Sequence, residues 1–585
     1  MQKSVVTNKY SLVDSLPVFS DLSLFQKILV ASSCHVVEFE KGEHVYEEGD
    51  APDHFFCVVS GRVEIYHPAG KTRTGRKFML EVIRKGDYFG LISSLTGKPH
   101  TVSARALNDS VVLRINNRNF SRILNKIPAL AIKLSRSLSR RLGRKPFKEI
   151  FESRIISVYG MTAPEDAAFY ARSLAESVKK ESGKKALVIR STSFSKEKEV
   201  SSRLSALTGD HHYIIADIFP GDRKIDLEII RQSDACHILS ASDKASLTRT
   251  ASFVKQAEKL FVKHSDQAAL VILKEDRHYP DLSYEEKVKA LSKEVFATLP
   301  GRGAVYKKAV RRIAREVSGV RVGLALGAGG AMGLAHIGVL KVLEKEKVPV
   351  DIVAGCSIGA FIAALWAAGS SAAEIEKLVC GFDTRLKTLF LLDPTLPLRG
   401  LIKGKAVRKV LERYLGDKTF FDTTLPLKIV TCDIKTREKF VIDSGSLVDA
   451  VMASIAIPGV FEPVPFGGTQ LVDGGIVDPL PVSVLSRAGI KKVVAVNTLP
   501  SPEEMAVTSP RSLNLYNVIV NSFHAAEYTM AVNSCQQADV YLHPVLGTAD
   551  WHEFHKARLF IRTGRNEAVR MLPQIKDLAR QKPCA

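Results

Sequence analysis

Residues 352–369 read IVAGCSIGAFIAALWAAG, an apolar run interrupted by a Cys-Ser pair set between two glycines. Its glycines and serine suit a strand, a sharp turn and a buried helix better than a membrane span. Gly355-Cys356-Ser357-Ile358-Gly359 fits G-x-S-x-G, the strand-to-helix turn that lifts a serine hydroxyl above the end of a sheet. The serine of such a turn takes strained backbone angles, and Gly355 and Gly359 relieve clashes with the neighbouring strand and helix. Its Oγ then lies at a helix N-terminus, whose partial positive charge favours a developing anion. Cys356 reads as a packing residue directed away from the reacting atoms.

The residues just upstream repeat the pattern. VGLAL (322–326) predicts a strand, GAGGAMG (327–333) a glycine-rich turn and LAHIGVLKVLEKE (334–346) a helix. Both turns then fall at the C-terminal ends of strands, where parallel α/β sheets place ligand sites. A dinucleotide fingerprint fits the glycine turn poorly, because Met332 stands where the third glycine belongs. The alternative is an oxyanion hole, in which consecutive glycine amides converge on the carbonyl oxygen that Ser357 attacks.

Downstream, QLVDGGIVDPLPV (470–482) puts Asp473 after an apolar stretch and before two glycines. A desolvated carboxylate there orients and deprotonates a serine without histidine, since burial raises its basicity. His336 reads as a packed core histidine, Asp478 as a turn former before Pro479, and Phe361 and Trp366 as core.

The whole chain has 585 residues, too many for one hydrophobic core, and its 45% apolar and 25% charged residues are those of globular proteins. Many short β-prone runs in 18–125, such as HFFCVVSGRVEIYH (54–67), predict a sandwich or jelly roll; a helical, increasingly basic stretch extends it to 145. Residues 155–300 alternate apolar runs (185–190, 213–219, 236–241, 268–274) with helical ones and predict an intermediate α/β domain. No glycine-rich phosphate loop follows any of these runs, and His211-His212 reads as a solvated turn. AVYKKAVRRIAREV (304–317) predicts a basic amphipathic linker helix, packed on its neighbours or lying on a membrane surface. A C-terminal α/β domain fills 322–485, with 486–585 as its extension.

Two resemblances follow from these residues. The hairpin with FGLISSLTGKPHTVSARA (89–106) resembles a cyclic nucleotide-binding domain, a family that holds the ribose with Glu and the cyclic phosphate with Arg. Leu91 and His100 occupy those positions, and neither replaces its counterpart, which argues against a bound cyclic nucleotide. The second covers about 322–485: the glycine turn, AHIGVL (335–340), GCSIG, ASIAIPGVFEPV (453–464) and DGG (473–475) resemble the patatin-like phospholipases. The domain order and DPTLPLRGLIKG (393–404) point to their neuropathy target esterase branch. The resemblance implies a C-terminal α/β hydrolase fold with Ser357 as nucleophile, Asp473 as its base, and the Gly329 and Gly330 amides as oxyanion hole. Gly327, Ala328 and Gly333 complete the glycine motif; the family usually has Arg or Lys where this chain has Met332, and a Gly where it has Ala328. It also implies phospholipid or lysophospholipid acyl esters as substrates.

Two rivals stay open. One is a general carboxylesterase or acyltransferase; the other is a patatin-like lipid- or partner-binding regulator, weakened or inactivated by Met332. The segment 388–404 reads as an acyl-binding lid or a buried crossover. No cofactor is expected. The eight cysteines are scattered singly, which predicts a reducing compartment and no structural metal. No apolar leader core is seen at the N-terminus, so the expectation is a cytoplasmic protein. The net charge of +21 favours peripheral contact with an anionic membrane, while no recognition motif supports nucleic acid.

Overall fold

The structure, a computed structural model, describes residues 9–68, 78–142, 154–219, 221–241, 243–260, 268–273, 294–298, 303–381, 404–505, 515–545 and 552–580. DPTLPLRGLIKG and the expected lid at 388–404 lie outside them, except Gly404. The chain divides into two compact units, the first holding Met1–Glu275 and Leu291–Ala314, the second Arg315–Pro583.

The first unit opens with two four-stranded antiparallel sheets, as the short alternating runs predict. In one, Cys34–Phe39, Ser110–Asn116, His54–Ser60 and Tyr88–Phe89 lie in that order; in the other, His44–Tyr46, Ser103–Ala106, Arg62–His67 and Phe78–Arg84. Apolar residues of both sheets, among them Val37, Phe56, Val58, Val63, Ile83 and Val112, interdigitate as the core of a β-sandwich. Helices Asn117–Lys126 and Pro128–Leu142 follow. The sandwich is welded to the next module: Arg62, 1% exposed, forks onto Asp234 at 3.1 Å, and Arg231 pairs with Asp109.

That module is a six-stranded parallel sheet with spatial order Ala186–Arg190, Tyr213–Ile218, Arg154–Gly160, Ala235–Ala241, Ala268–Leu273, Glu294–Thr298. Arg154–Gly160, at its centre, is a strand that the sequence reading left unnamed; its serine, tyrosine and glycine dilute the apolar signal. The helix Ala304–Val317 buries Tyr306, Ala309, Val310, Ile313, Ala314 and Val317 and leaves Val305 exposed, so most of its apolar residues are packed within the protein. No described helix is long and apolar enough to cross a membrane.

Elements of the second unit are numbered on their own. Strands β1 (Val322–Leu326), β2 (Ile352–Cys356), β3 (Leu427–Asp433), β4 (Glu438–Ile442), β5 (Val464–Phe466), β6 (Thr469–Asp473), β7 (Lys492–Val496) and β8 (Val540–Leu542) form one eight-stranded sheet. Its order is β5-β6-β3-β2-β1-β7-β8, with β4 on β3. The strands from β3 to β8 along this order are parallel, while β4, β5 and β6 enter antiparallel. All five residues of β1, of β2 and of β7 are buried, as expected for strands covered on both faces. Four helices matter here: α1 (Ala335–Lys345), α2 (Ile358–Ala367), α3 (Leu515–Cys535) and α4 (Ala557–Arg580). Helices α1 and α4 pack backbone to backbone, since a Cβ on Gly338 would stand 2.0 Å from Ile561 O and one on Gly564 1.9 Å from Ala335 O.

Candidate active site

Ser357 follows the last residue of β2 and precedes α2, with φ 54° and ψ −125°, a conformation unfavourable for a residue with a Cβ. The sharp reversal needs α2 pressed against the neighbouring strand: a Cβ on Gly359 would stand 2.2 Å from Leu326 O. Gly355 is the other pinch, its Cβ position 2.6 Å from the Ala360 backbone. The Ser357 amide donates to Ser454 Oγ at 3.0 Å, and that hydroxyl donates to Val430 O at 2.7 Å. A buried serine thereby pins the elbow to β3.

Register brings the carboxylate in. Cys356 pairs with Val430, the next residue Thr431 pairs with Asp473, and so the end of β6 arrives one strand from the elbow. Ser357 Oγ donates to Asp473 Oδ2 at 2.6 Å, and the Gly475 amide donates to Asp473 Oδ1 at 2.8 Å. Asp473 is 3% exposed, and burial pushes its pKa up to about 6 against the lowering by these hydrogen bonds. The result is a carboxylate that is ionised at neutral pH yet appreciably basic.

Cys356 departs from the sequence reading. Its Sγ lies 3.9 Å from Asp473 Oδ1, beside that carboxyl and not away from the centre, because Asp473 reaches in at the level of that strand end. Burial holds the thiol well above its ordinary pKa, so it stays neutral.

The glycine turn closes the other side. The Gly327 amide donates to Val496 O at 3.0 Å and that of Ala328 to Pro479 O at 2.8 Å, so both are engaged in holding the turn. His336, fully buried, donates from Nε2 to Gly327 O at 2.8 Å, and Thr498 Oγ1 donates to Ala328 O at 2.8 Å. Burial pushes the His336 pKa down to about 4; the ring is a neutral brace for the turn and is aimed at Gly327, not at Ser357. Gly329 (φ 155°) and Gly330 (φ 55°) line the same pocket as Ser357 and Asp473, which makes their amides the candidates for an oxyanion. Gly333 packs under the elbow, its Cβ position 2.1 Å from Ile358 Cγ2.

The pocket encloses about 650 Å³ of empty space including its open mouth. Met332, Ile457, Ile476, Leu499 and Phe523 give it apolar walls, while His524 and Glu527 from α3 stand at one side. Met332 is buried in the wall where a cation was expected from the resemblance. Asp478 stands apart, tied to Lys439 at 2.7 Å and to Ser483 at 3.0 Å. Phe361 and Trp366 prove half-buried at the core's edge, with Trp366 Nε1 donating to Glu344 at 2.8 Å. Ser454, Thr498 and Glu527 were not singled out from sequence; the signal for Glu527 was a lone charge in a long uncharged helix.

In the first unit, Leu91 is buried at the start of helix Leu91–Thr96, and His100 stacks on Tyr46 with ring centroids 3.6 Å apart. Burial lowers the His100 pKa, so the ring offers a phosphate no fixed charge. No described group of His, Cys, Asp and Glu has the arrangement of a metal site.

Residues 324–486 match the family model of patatin-like phospholipases. The chain carries a patatin-like phospholipase domain. Residues 36–126 match the cyclic nucleotide-binding domain model. Human patatin-like phospholipase domain-containing protein 6 is 26% identical to this chain, over 78% of it and 37% of the relative. Neuropathy target esterase sws of Drosophila melanogaster is 25% identical, over 78% of the chain and 35% of the relative. An uncharacterised NTE family protein of Mycobacterium tuberculosis is 26% identical, over 84% of the chain and 80% of the relative. The chain thus spans little more than a third of the two animal relatives. Ser357 and Asp473 both lie inside the patatin-like domain, whose match begins within β1 and ends beyond β6.

Proposed function

We propose that the chain is a serine esterase that hydrolyses acyl esters of phospholipids or lysophospholipids through a Ser357–Asp473 dyad and an acyl-enzyme. The 2.6 Å contact between Ser357 Oγ and Asp473 Oδ2, at a strained elbow in an apolar-walled pocket, carries this reading. Ser357 Oγ attacks the ester carbonyl carbon while its proton passes to Asp473 Oδ2. The carbonyl oxygen becomes an anion facing the Gly329 and Gly330 amides. Collapse expels the alcohol, which takes the proton from Asp473 and leaves an acyl-serine. Water then attacks, giving its proton to Asp473; the fatty acid leaves and Ser357 regains the proton. Phospholipid substrates are supported by the names of the relatives and by pocket walls suited to an acyl chain. The net charge of +21 supports approach to an anionic membrane surface.

Mass analysis of lipid extracts incubated with wild-type, Ser357→Ala and Asp473→Asn protein tests the reading. Release of fatty acid by the wild type alone is the expected outcome; equal release by Ser357→Ala removes the nucleophile from the mechanism. Met332 supports a second reading, a lipid-binding regulator without turnover, since it puts a thioether where the family usually has a cation. A wild type that binds lysophospholipid micelles but neither hydrolyses the lipid nor reacts with a fluorophosphonate would favour that reading.

A further inference from the structure

Helix α3 contains one carboxylate and no Lys or Arg in 21 residues, LYNVIVNSFHAAEYTMAVNSC. That single acid, Glu527, faces the pocket that holds Ser357 and Asp473. Its approach is close: a Cβ on Gly475 would stand 2.2 Å from Glu527 Oε1 and 3.3 Å from Asp473 Oδ1. The third residue of DGG is bare on the side that Glu527 occupies. Since the Gly475 amide also donates to Asp473, the two carboxyls flank one peptide unit.

Two carboxyls this near do not both ionise at low cost. Asp473 has the Ser357 hydroxyl and the Gly475 amide to hold its charge, whereas burial and the Asp473 charge push Glu527 up to about 8. Among the described residues, the titratable groups around Glu527 are Asp473 and the Cys356 thiol from the sheet and His524 from its own helix. No Lys or Arg is among the described lining residues. An ester bearing a phosphate therefore brings its negative charge against described walls that carry no Lys or Arg, and the state of Glu527 bears on how it is received.

We propose that Glu527 is a specificity-determining residue for headgroup charge: as a neutral acid it admits phosphate-bearing acyl esters, and as a carboxylate it turns the site toward uncharged ones. The inference rests on the acyl-ester reading above and deepens it. A neutral carboxyl has an O–H to donate to a phosphate oxygen, while a carboxylate has only lone pairs to present. Asp473 acts on both kinds of ester alike, so its titration cancels from the ratio of their rates.

The test compares kcat/KM for a short-chain lysophosphatidylglycerol and the monoacylglycerol of the same acyl chain, both monomeric, from about pH 6.5 to about pH 9.5, a range that brackets the Glu527 titration while the phosphodiester keeps its charge. In the wild type the ratio of the two is expected to fall about tenfold as pH rises, the scale set by one like charge a few ångströms away. In Glu527→Gln, which keeps shape and loses the titrating proton, the ratio is expected to stay level; in His524→Gln it falls as in the wild type. A level ratio in the wild type, an undiminished fall in Glu527→Gln, or a fall abolished by His524→Gln overturns the inference. If Glu527→Gln folds poorly, Glu527→Asp replaces it: the fall persists with a shifted midpoint, and its absence overturns the inference. A wild type that hydrolyses neither ester sinks the esterase reading itself, an outcome distinct from a level ratio.

Discussion

Ser357 and Asp473 are 116 positions apart in the chain and 2.6 Å apart in the fold, joined by a direct hydrogen bond with no histidine between them. The Ser357 amide is held by Ser454 and the Asp473 carboxyl by Gly475, so the fold itself orients both partners. A preoriented pair in a buried site is what a serine needs to react without an imidazole.

Removing either partner should therefore remove turnover by different routes. Ser357→Ala should lose fluorophosphonate labelling altogether. Asp473→Asn should lower kcat by about 10²–10⁴-fold, the usual range for losing a general base, while substrate still binds. Single-turnover kinetics with lysophospholipid checks both; labelling of the alanine variant at the wild-type rate would point to another nucleophile.

The pH profile should carry an acid limb set by Asp473. The base works only when ionised, so kcat/KM should be full above its pKa and drop tenfold per unit as pH falls below about 6. A profile measured on an uncharged acyl ester isolates this limb, and activity unchanged down to about pH 4.5 would contradict the assignment.

Asp473 should also cost stability. Its folded pKa of about 6 lies above the ordinary 3.8, so the folded state binds more protons than the unfolded one between those values. Its contribution is favourable at low pH and is lost as pH rises through that window. At neutral pH the deficit is about 3 kcal/mol by the size of the shift. Asp473→Asn should therefore raise the thermal midpoint of the catalytic unit at pH 7 and leave it little changed near pH 4. Calorimetry at the two pH values decides it, and a lower midpoint at pH 7 counts against the buried charge.

Ser454→Ala should damage the elbow from behind. It leaves the Ser357 amide and Val430 O without their buried partner, a loss of about 1–3 kcal/mol. The strained φ at Ser357 then relaxes, and kcat should fall more than KM rises. Ser454→Thr, which keeps the hydroxyl, should recover part of kcat. Unchanged kcat in the alanine variant would show that the strain is held elsewhere.

The features legible in the sequence are those written in neighbouring residues. The elbow, the glycine turn and the strand-turn-helix repeat each lie within a short stretch, where spacing alone encodes backbone shape. Asp473 was visible because two glycines follow it. Ser454, Thr498 and Glu527 were not, since each finds its partner across the fold: Ser454 meets Ser357 from 97 positions away, and Thr498 meets Ala328 from 170. Cys356 was misplaced for the same reason, as the elbow pattern says how a side chain leaves its own turn and nothing about which carboxyl arrives from two strands away.

Sequence alone thus determined the local chemistry of this protein: a serine on a strained turn, amides bare of side chains, an acid before two glycines. Only the tertiary structure decided which groups meet. The register of β2 on β3 and of β3 on β6 brings Asp473 to Ser357, and α3 brings Glu527 to Gly475. The physical reason is that backbone shape follows from adjacent residues, whereas distances between remote side chains follow from how buried strands pair.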